Sequence, residues 1–306
     1  MAYWSILGSG VTGLCIATAL YEKGEKIEVV ENPNIQAASY FAGGMLAPFC
    51  EGESAPDIVV KNGQLSVEWW DNHVSNVKKT GTIVIAPPRD MSELRRFANM
   101  TICHEWIDPG KIEKDLKGRF SEGLFFPSEA FIDPRLALQE LKENLKNKGV
   151  SFHTGSPKGK IIDCTGMAAT SSLKNLRAVR GEMLIFECHE VNFLRPIRLL
   201  HPRFPCYLVP RANGRFMVGA TMVESNDDSP ISARALIEML SSVYAIHPAF
   251  AEARIVETGT GCRPSFPDNI PQIIEQDGKF YINGMYRHGF LLAPVLALDF
   301  VRKILG

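Results

Sequence analysis

The chain has 306 residues, of which 45% are hydrophobic and 22% are charged, and its formal net charge is −1. This is the composition of a globular protein rather than a disordered chain, and the length suits one large domain or two modest ones. The near-neutral charge argues against nucleic acid or a charged macromolecule as partner, so we expect a small-molecule substrate.

Seven cysteines are scattered along the chain, with no C-x-x-C pair and no cluster with histidine. Such a set is typical of buried thiols in a reducing compartment, and it predicts neither a disulfide framework nor a metal site. The start of the chain lacks the basic-then-apolar order of a signal peptide. No apolar run approaches the roughly 18 residues of a membrane span. We therefore expect a cytoplasmic protein without membrane contact.

The chain opens with a strand–turn–helix–strand pattern. Apolar runs over residues 3–7 and 26–30 predict two strands, and a glycine-rich turn over 8–13 leads into a helix over 14–21. A βαβ unit of this kind implies parallel strands joined by a right-handed crossover.

The middle of the chain is less regular. Tryptophans and turn signals between about 35 and 130 indicate α+β material that a nucleotide-binding fold does not need. Asp133 as a cap and Pro134 in the first turn then predict a helix, which Gly149 ends. A short buried strand over 161–164 follows.

The next segments have the pattern of an antiparallel hairpin, with Asn213-Gly214 as its turn. With those two residues as the turn, Tyr207 is predicted opposite Ala220. One face of the hairpin would then carry Tyr207, Val209, Val218, Ala220 and Met222.

The remaining elements are a helix over about 232–246, a strand over 279–283 and a final helix over about 290–304. Because βα segments occur at both ends and in the middle, we predict an α/β fold with a discontinuous Rossmann-type domain. That domain would comprise residues 1–65, 130–178 and 259–306. A second α+β domain with a mixed or antiparallel sheet would comprise residues 66–129 and 179–258.

The opening turn, Gly8-Ser9-Gly10-Val11-Thr12-Gly13, matches G-x-G-x-x-G in the strand-to-helix context that indicates dinucleotide binding. The first glycine makes the turn, the second admits the pyrophosphate and the third lets helix and strand approach. Glu31 ends the second strand, eighteen residues past Gly13, where a carboxylate can accept from ribose hydroxyls. It disfavours the 2′-phosphate of NADP, whereas FAD and NAD both remain open.

Two further glycine-containing segments favour a flavin. The loop over residues 42–48 could lie against a ring system. A helix beginning near Gly289 would direct its positive end at the cavity, where it would stabilise the negative charge of a reduced flavin. An NAD-dependent dehydrogenase would leave the 287–294 segment without a role.

At this point the sequence resembles the D-amino-acid oxidase family of FAD-dependent oxidoreductases, and within it the glycine oxidases of thiamine biosynthesis. The matching stretches run in family order from residue 3 to residue 296 and include the glycine turn with Glu31, the 42–48 loop, Val179–Met183, Cys206–Pro210, Val218–Met222, Arg263-Pro264, Pro267-Asp268 and Tyr286–Pro294.

The resemblance implies a non-covalent FAD in a glutathione-reductase-like Rossmann domain, with the second sheet above the flavin. It implies oxidation of glycine to an imine by hydride transfer from the α-carbon to flavin N5, with O2 reduced to H2O2. The imine would supply the thiazole ring of thiamine, which links the protein functionally to thiazole synthase. Relatives commonly form dimers or tetramers, so a homo-oligomer is expected.

The resemblance places the substrate site at four side chains. Arg263 would hold the substrate carboxylate through two charge-assisted hydrogen bonds, and Tyr207 would donate its hydroxyl to the same group. Arg287 would add positive field near the flavin, and Met222 would line the pocket. The reaction needs no strong protein base, because a neutral amine can release a hydride directly. We expect no catalytic role for His288, since a histidine beside a glycine turn is more often structural or solvent-facing.

The predicted FAD-binding residues come from the glycine turn, the end of the second strand, the second glycine loop and the start of the last helix. They are Gly8, Ser9, Gly10, Val11, Thr12, Gly13, Glu31, Asn32, Ala38, Ser39, Gly43, Gly44, Met45, Gly166, Met285, Arg287, His288, Gly289, Phe290 and Leu291.

One departure from the family pattern concerns residues 152–161, where a β-meander is usual and only a short connection is present. This leads us to expect a more exposed adenine end and weaker FAD binding. Three alternatives stay open: a D-amino-acid oxidase or dehydrogenase, a sarcosine-type oxidase, and a non-catalytic FAD-binding protein.

Overall fold

The computed structural model describes residues 3–201 and 205–306. In chain order the strands are β1 (Tyr3–Leu7), β2 (Lys26–Val30), β3 (Met45–Leu46), β4 (Thr82–Ile85), β5 (Glu105–Ile107), β6 (Gly123–Phe126), β7 (Ala130–Phe131), β8 (Ser151–His153), β9 (Lys160–Asp163), β10 (Arg177–Glu187), β11 (Ile197–Leu199), β12 (Cys206–Pro210), β13 (Arg215–Gly219), β14 (Val223–Glu224), β15 (Arg254–Ser265), β16 (Gln272–Gln276) and β17 (Lys279–Asn283). The helices are α1 (Val11–Glu22), α2 (Pro48–Glu51), α3 (Asp57–Gly63), α4 (Ser66–His73), α5 (Met91–Met100), α6 (Pro109–Ile112), α7 (Pro134–Asn147), α8 (Ala233–Ile246) and α9 (Gly289–Leu305).

A first sheet has the strand order β16-β17-β9-β1-β2-β8. Its inner strands are parallel, and only β16 pairs antiparallel, with β17. Helices α1, α7 and α9 pack with this sheet around a common apolar core. The predicted βαβ start is confirmed, and so is the helix at 134, where Asp133 accepts from the N–H groups of Arg135 and Leu136.

A second, nine-stranded sheet follows the path β14-β10-β13-β12-β11-β4-β6-β5, and β15 pairs with β10. It is mostly antiparallel, with one parallel pair between β4 and β11. The predicted fold class, a Rossmann-type sheet with a second mixed sheet, is confirmed.

Two observations bear on the predicted domain division, which stays a prediction. Strand β15 continues in the second sheet to Ser265, beyond the predicted boundary at residue 259. Helix α4 contributes Trp69 and Trp70 to the core of the first sheet, and the Trp70 indole N–H donates to the Phe290 carbonyl at 2.8 Å.

The predicted register of the β12–β13 hairpin was wrong by one residue. Arg211 N–H donates to the Arg215 carbonyl at 2.8 Å, so residues 212–214 form a three-residue loop in which Asn213 and Gly214 both have positive φ. Tyr207 consequently lies opposite Gly219 rather than Ala220, and Val218 lies opposite Leu208 on the other face. Ala220 and Met222 follow the end of β13.

Across residues 3–201 and 205–306, no helix is both long enough and apolar enough to cross a membrane.

Candidate active site

A cavity of about 840 Å³ extends from the carboxyl ends of β1 and β2 to the face of the second sheet. All the residues predicted above for cofactor and substrate line this cavity, with the exception of Gly13. The structure therefore brings the predicted residues together around one cavity, while their assignment as site residues and their individual roles stay predictions. Ligand sites of α/β folds commonly lie at this edge of the sheet.

The glycine turn is shaped for close approach of backbone to ligand. Gly8 has φ +95°, a conformation that favours glycine. A Cβ on Gly13 would lie 1.9 Å from the Gly8 carbonyl oxygen, so the turn can form only because Gly13 has no side chain. Helix α1 begins after Gly10 without a side-chain cap and without an acidic residue in its first turn. Its positive end therefore stays available for an anionic group.

Glu31 lies at the rim of the cavity, at the end of β2. Burial acts to raise its pKa, but hydrogen bonds from Lys142 and Ser9 outweigh burial and lower it. Lys142 Nζ lies 2.7 Å and 2.9 Å from the two carboxylate oxygens. The carboxylate is thus charged near neutral pH and can accept from ribose hydroxyls.

The second glycine loop packs directly on Tyr207. A Cβ on Gly43 would lie 2.6 Å from the Tyr207 ring, and Gly44 has φ +72°. Arg211 fixes the loop by donating to the Gly43 carbonyl at 2.9 Å. Glycine is required here because a larger residue would displace the aromatic ring.

Helix α9 starts beside the start of helix α1, where a Cβ on Gly289 would lie 3.2 Å from Val11 Cγ1. Its first residues, Gly289 to Leu291, line the cavity, and its first turn contains no acidic residue. Tyr286 precedes it with φ 48°, held by a hydrogen bond from its N–H to the Pro264 carbonyl at 2.8 Å. A second helix N-terminus therefore faces the same space, as the sequence predicted.

Arg263 is a cationic side chain that lines the cavity. Its Nη1 donates to the Thr221 carbonyl at 3.0 Å, and in the part of the chain that the structure describes no carboxylate pairs with it. Burial lowers its pKa, and the charge of Arg287 adds to this effect. A desolvated guanidinium of this kind favours binding of an anion from solution.

The guanidinium of Arg263 is held in place from two sides. A Cβ on Gly181 would lie 2.2 Å from Arg263 Nη2, so the β10 backbone supports it closely. Thr221, whose carbonyl accepts from Arg263, donates its hydroxyl to Glu182 at 2.9 Å. Residues of the second sheet thus fix the orientation of the candidate anchor.

Tyr207 is close to both arginines of the site. Burial raises the pKa of its phenol, while the charges of Arg263 and Arg287 act in the opposite direction. The hydroxyl is therefore protonated at neutral pH and available as a donor. Met222 is 48% exposed at the cavity edge, and its Sδ lies 3.4 Å from Arg287 Nη1.

Glu51 is a site residue that the sequence reasoning missed. Its Oε2 lies 2.6 Å from Arg287 Nη2 and 3.6 Å from His288 Nδ1. Burial opposes its ionisation, yet the charge of Arg287, followed by those of His288 and Arg198, lowers its pKa to about 2. No motif marks a lone glutamate six residues after Met45, so only the structure could pair it with Arg287.

His288 is buried beside this ion pair. Burial lowers its pKa to about 4, which the neighbouring Glu51 only partly opposes. The imidazole is therefore neutral at pH 7, and Arg287 carries the positive charge of this part of the site.

Glu129 has no exposed surface and accepts from the N–H of Cys50, the residue before Glu51, at 2.8 Å. Burial, reinforced by the charge of Glu51, raises its pKa to about 7 from the ordinary 4.5. The folded state therefore binds more protons than the unfolded state between these pH values, and its stability falls as the pH rises through this window.

Replacing Glu129 by glutamine should remove this loss. The variant should match the wild type at pH 4 and exceed it at pH 8 by up to roughly 3 kcal/mol of unfolding free energy. Urea unfolding at pH 4, 6 and 8 measures the difference. A difference between the two proteins that stays constant with pH would contradict the assignment of a protonated Glu129.

The sequence pattern of the family described as FAD dependent oxidoreductase (DAO) matches residues 4–302. The chain belongs to this family. Its cofactor is therefore FAD, as the sequence predicted, and its activity is that of an oxidoreductase.

Individual relatives agree with this assignment. A Rhizobium etli protein provisionally named thiamine biosynthesis oxidoreductase ThiO is 47% identical over 310 residues, covering 97% of this chain and 95% of that protein. Glycine oxidase of Pseudomonas putida is 33% identical over 131 residues, which are 42% of this chain and 35% of that protein. A bifunctional ThiO/ThiG protein of Synechocystis is 26% identical over 334 residues, covering 95% of this chain and 50% of that protein.

Solved structures share the fold. The crystal structure of glycine oxidase from Geobacillus kaustophilus has a TM-score of 0.83 at 19% identity, covering 99% of this chain and 95% of that one. L-α-glycerophosphate oxidase from Mycoplasma pneumoniae, with FAD bound, has a TM-score of 0.81 at 19% identity, covering 100% and 96%.

The residues present fit FAD. Two helix N-termini without acidic first-turn residues reach the cavity, and Glu31 at its rim provides a charged acceptor for ribose hydroxyls. The glycines at 8, 13 and 43 allow the walls of the cavity to pack closely, because a Cβ at each would collide with neighbouring protein atoms. The cavity thus offers groups suited to the diphosphate, the ribose and the ring system of FAD.

Proposed function

We propose that the protein oxidises glycine to its imine with FAD as the electron acceptor and O2 as the final oxidant, yielding H2O2. The observation that carries this proposal is Arg263, a half-buried guanidinium that pairs with no anionic group among residues 3–201 and 205–306, beside the protonated Tyr207 in the cavity that accommodates FAD. A small amino acid presents the carboxylate that these two groups would bind. The names of the ThiO and glycine oxidase relatives support glycine as the substrate.

The chain's own side chains would act by binding and orienting the substrate. Arg263 would hold the carboxylate with two parallel hydrogen bonds, and the Tyr207 hydroxyl would donate a third. Arg287 would contribute less to carboxylate binding, because Glu51 at 2.6 Å already compensates its charge. Met222 would close the pocket edge.

No side chain needs to act as a strong base in this scheme. His288 and Glu51 are both weak bases, because their pKa values are about 4 and about 2. The substrate amine therefore enters the reaction in its neutral form or loses its proton to solvent. A bound FAD would supply the electron-accepting chemistry for a hydride from the substrate's α-carbon.

A place in thiamine biosynthesis follows from the relatives. In the Synechocystis protein, a region matching 95% of this chain occupies half of a polypeptide named ThiO/ThiG. Such a fusion supports a functional link to thiazole synthase, which would consume the imine. A cytoplasmic location and a homo-oligomeric state remain part of the proposal.

Anaerobic titration of the purified holoprotein tests the function. Glycine should bleach the flavin absorbance near 450 nm, α-deuterated glycine should do so more slowly, and air should restore the colour with release of peroxide. Sarcosine and D-alanine in parallel titrations distinguish the amine oxidases from one another. Bleaching without reoxidation by O2 would indicate a dehydrogenase, and a yellow protein that no small amine bleaches would reject the enzymatic assignment.

A further inference from the structure

The short connection between β8 and β9, residues 154–159, crosses a face of the first sheet. Strand β8 lies at the edge of the sheet beyond β2, whereas β9 lies beyond β1, so the connection passes over both inner strands. These residues lie outside the ladders of β8 and β9. Their attachment therefore depends on side chains of the sheet beneath them.

Glu28 provides that attachment. It is fully buried in β2, and its Oε1 accepts from the Lys158 N–H at 2.7 Å and from the Ser5 hydroxyl at 2.6 Å. Its Oε2 accepts from the Tyr3 hydroxyl at 2.8 Å and lies 3.0 Å from His153 Nε2. A buried carboxylate with donors on both oxygens is a costly arrangement unless all its partners stay in place.

Ser5 completes the attachment. It is the register partner of Glu28 on β1, and its hydroxyl oxygen accepts from the Gly159 N–H at 2.7 Å and from the Lys158 N–H at 3.1 Å. A Cβ on Gly159 would lie 2.3 Å from the Tyr3 carbonyl oxygen, so the connection is pressed against β1. The bonds run from the connection's backbone to the sheet's side chains, which leaves the Lys158 side chain exposed.

The connection reaches the cavity through Pro157. This residue lines the cavity that also contains the glycine turn, Glu31 and Asn32, which form its nucleotide end. We propose that Glu28 and Ser5 are positioning residues for the cofactor, because they hold residues 154–159 so that Pro157 forms a wall against the adenosine part of FAD. The short connection would then cover the adenosine part of the cofactor.

The test is the affinity of the apoprotein for FAD, measured by quenching of FAD fluorescence. Glu28→Gln should weaken FAD binding about tenfold to a hundredfold, the range expected for lost hydrogen bonds to a charged group. Gly159→Ala should weaken it as well, because it displaces the connection without touching the buried carboxylate. Lys158→Ala is the matched control and should bind FAD like the wild type, because only its backbone takes part.

A second readout separates a local effect from general damage to the fold. The affinity for FMN, which lacks the adenosine part, should change much less than the affinity for FAD in both variants. Wild-type FAD affinity in a folded Glu28→Gln protein would overturn the proposal. Equal weakening of FAD and FMN would also overturn it. If Glu28→Gln does not fold, the FAD and FMN affinities of Gly159→Ala test the proposal by the same criteria. Neither measurement depends on the substrate being glycine.

Discussion

Replacing Arg263 by alanine is expected to lower kcat/KM for glycine by about two to four orders of magnitude, mainly through KM. The guanidinium is the cation of the site that pairs with no carboxylate among the described residues, so the substrate's carboxylate would lose its principal partner. FAD should stay bound, because the nucleotide contacts lie at the other end of the cavity. Steady-state kinetics and the absorbance of the purified variant measure both effects.

Two further variants sharpen this result. Arg263→Lys retains the charge but loses the planar pair of donors, so it should recover only part of the affinity. Arg302→Ala removes a guanidinium on the last turn of α9 that pairs with Asp299, and it should leave the kinetics unchanged. A pale, cofactor-free Arg263→Ala protein, or one with unchanged KM, would show that Arg263 has a structural role instead.

Replacing Glu51 by alanine should lower the free energy of unfolding by about 3–5 kcal/mol, because it leaves Arg287 charged and unpaired beside the cavity. The ion pair has an N–O distance of 2.6 Å, and the two side chains are 18% and 22% exposed, so water replaces little of the lost interaction. Urea unfolding at pH 7 measures this loss.

The double variant Glu51→Ala/Arg287→Ala is the informative comparison. Removing both charges should restore part of the stability. The double variant should therefore lose less unfolding free energy than the sum of the two single losses. Glu275→Ala on the exposed surface of β16 is the control. Additive single effects would contradict the pairing.

Because the folded pKa of Glu51 is about 2, its stabilising effect should be complete above the ordinary value of 4.5 and decline as the pH falls toward 2.

Local sequence patterns were sufficient to predict those features that depend only on residues close together in the sequence. The glycine turn, the Asp133 cap and the start of α9 were predicted correctly, since backbone conformation and helix ends are set within a few residues. The position of the hairpin at Asn213-Gly214 was predicted correctly, but its register was wrong by one residue. Two successive residues with positive φ fit either a two-residue or a three-residue loop.

The sequence by itself determined the nucleotide-binding βαβ start, the family and the cofactor. All the candidate site residues that its motifs named, with the exception of Gly13, line the cavity. Only the tertiary structure decided which charges are paired. Glu51 neutralises Arg287, Glu28 holds the connection at 154–159, and Arg263 pairs with no carboxylate in the part of the chain that the structure describes. Electrostatic partners can be hundreds of residues apart in sequence, and their energies depend on distance and burial, which no local pattern encodes.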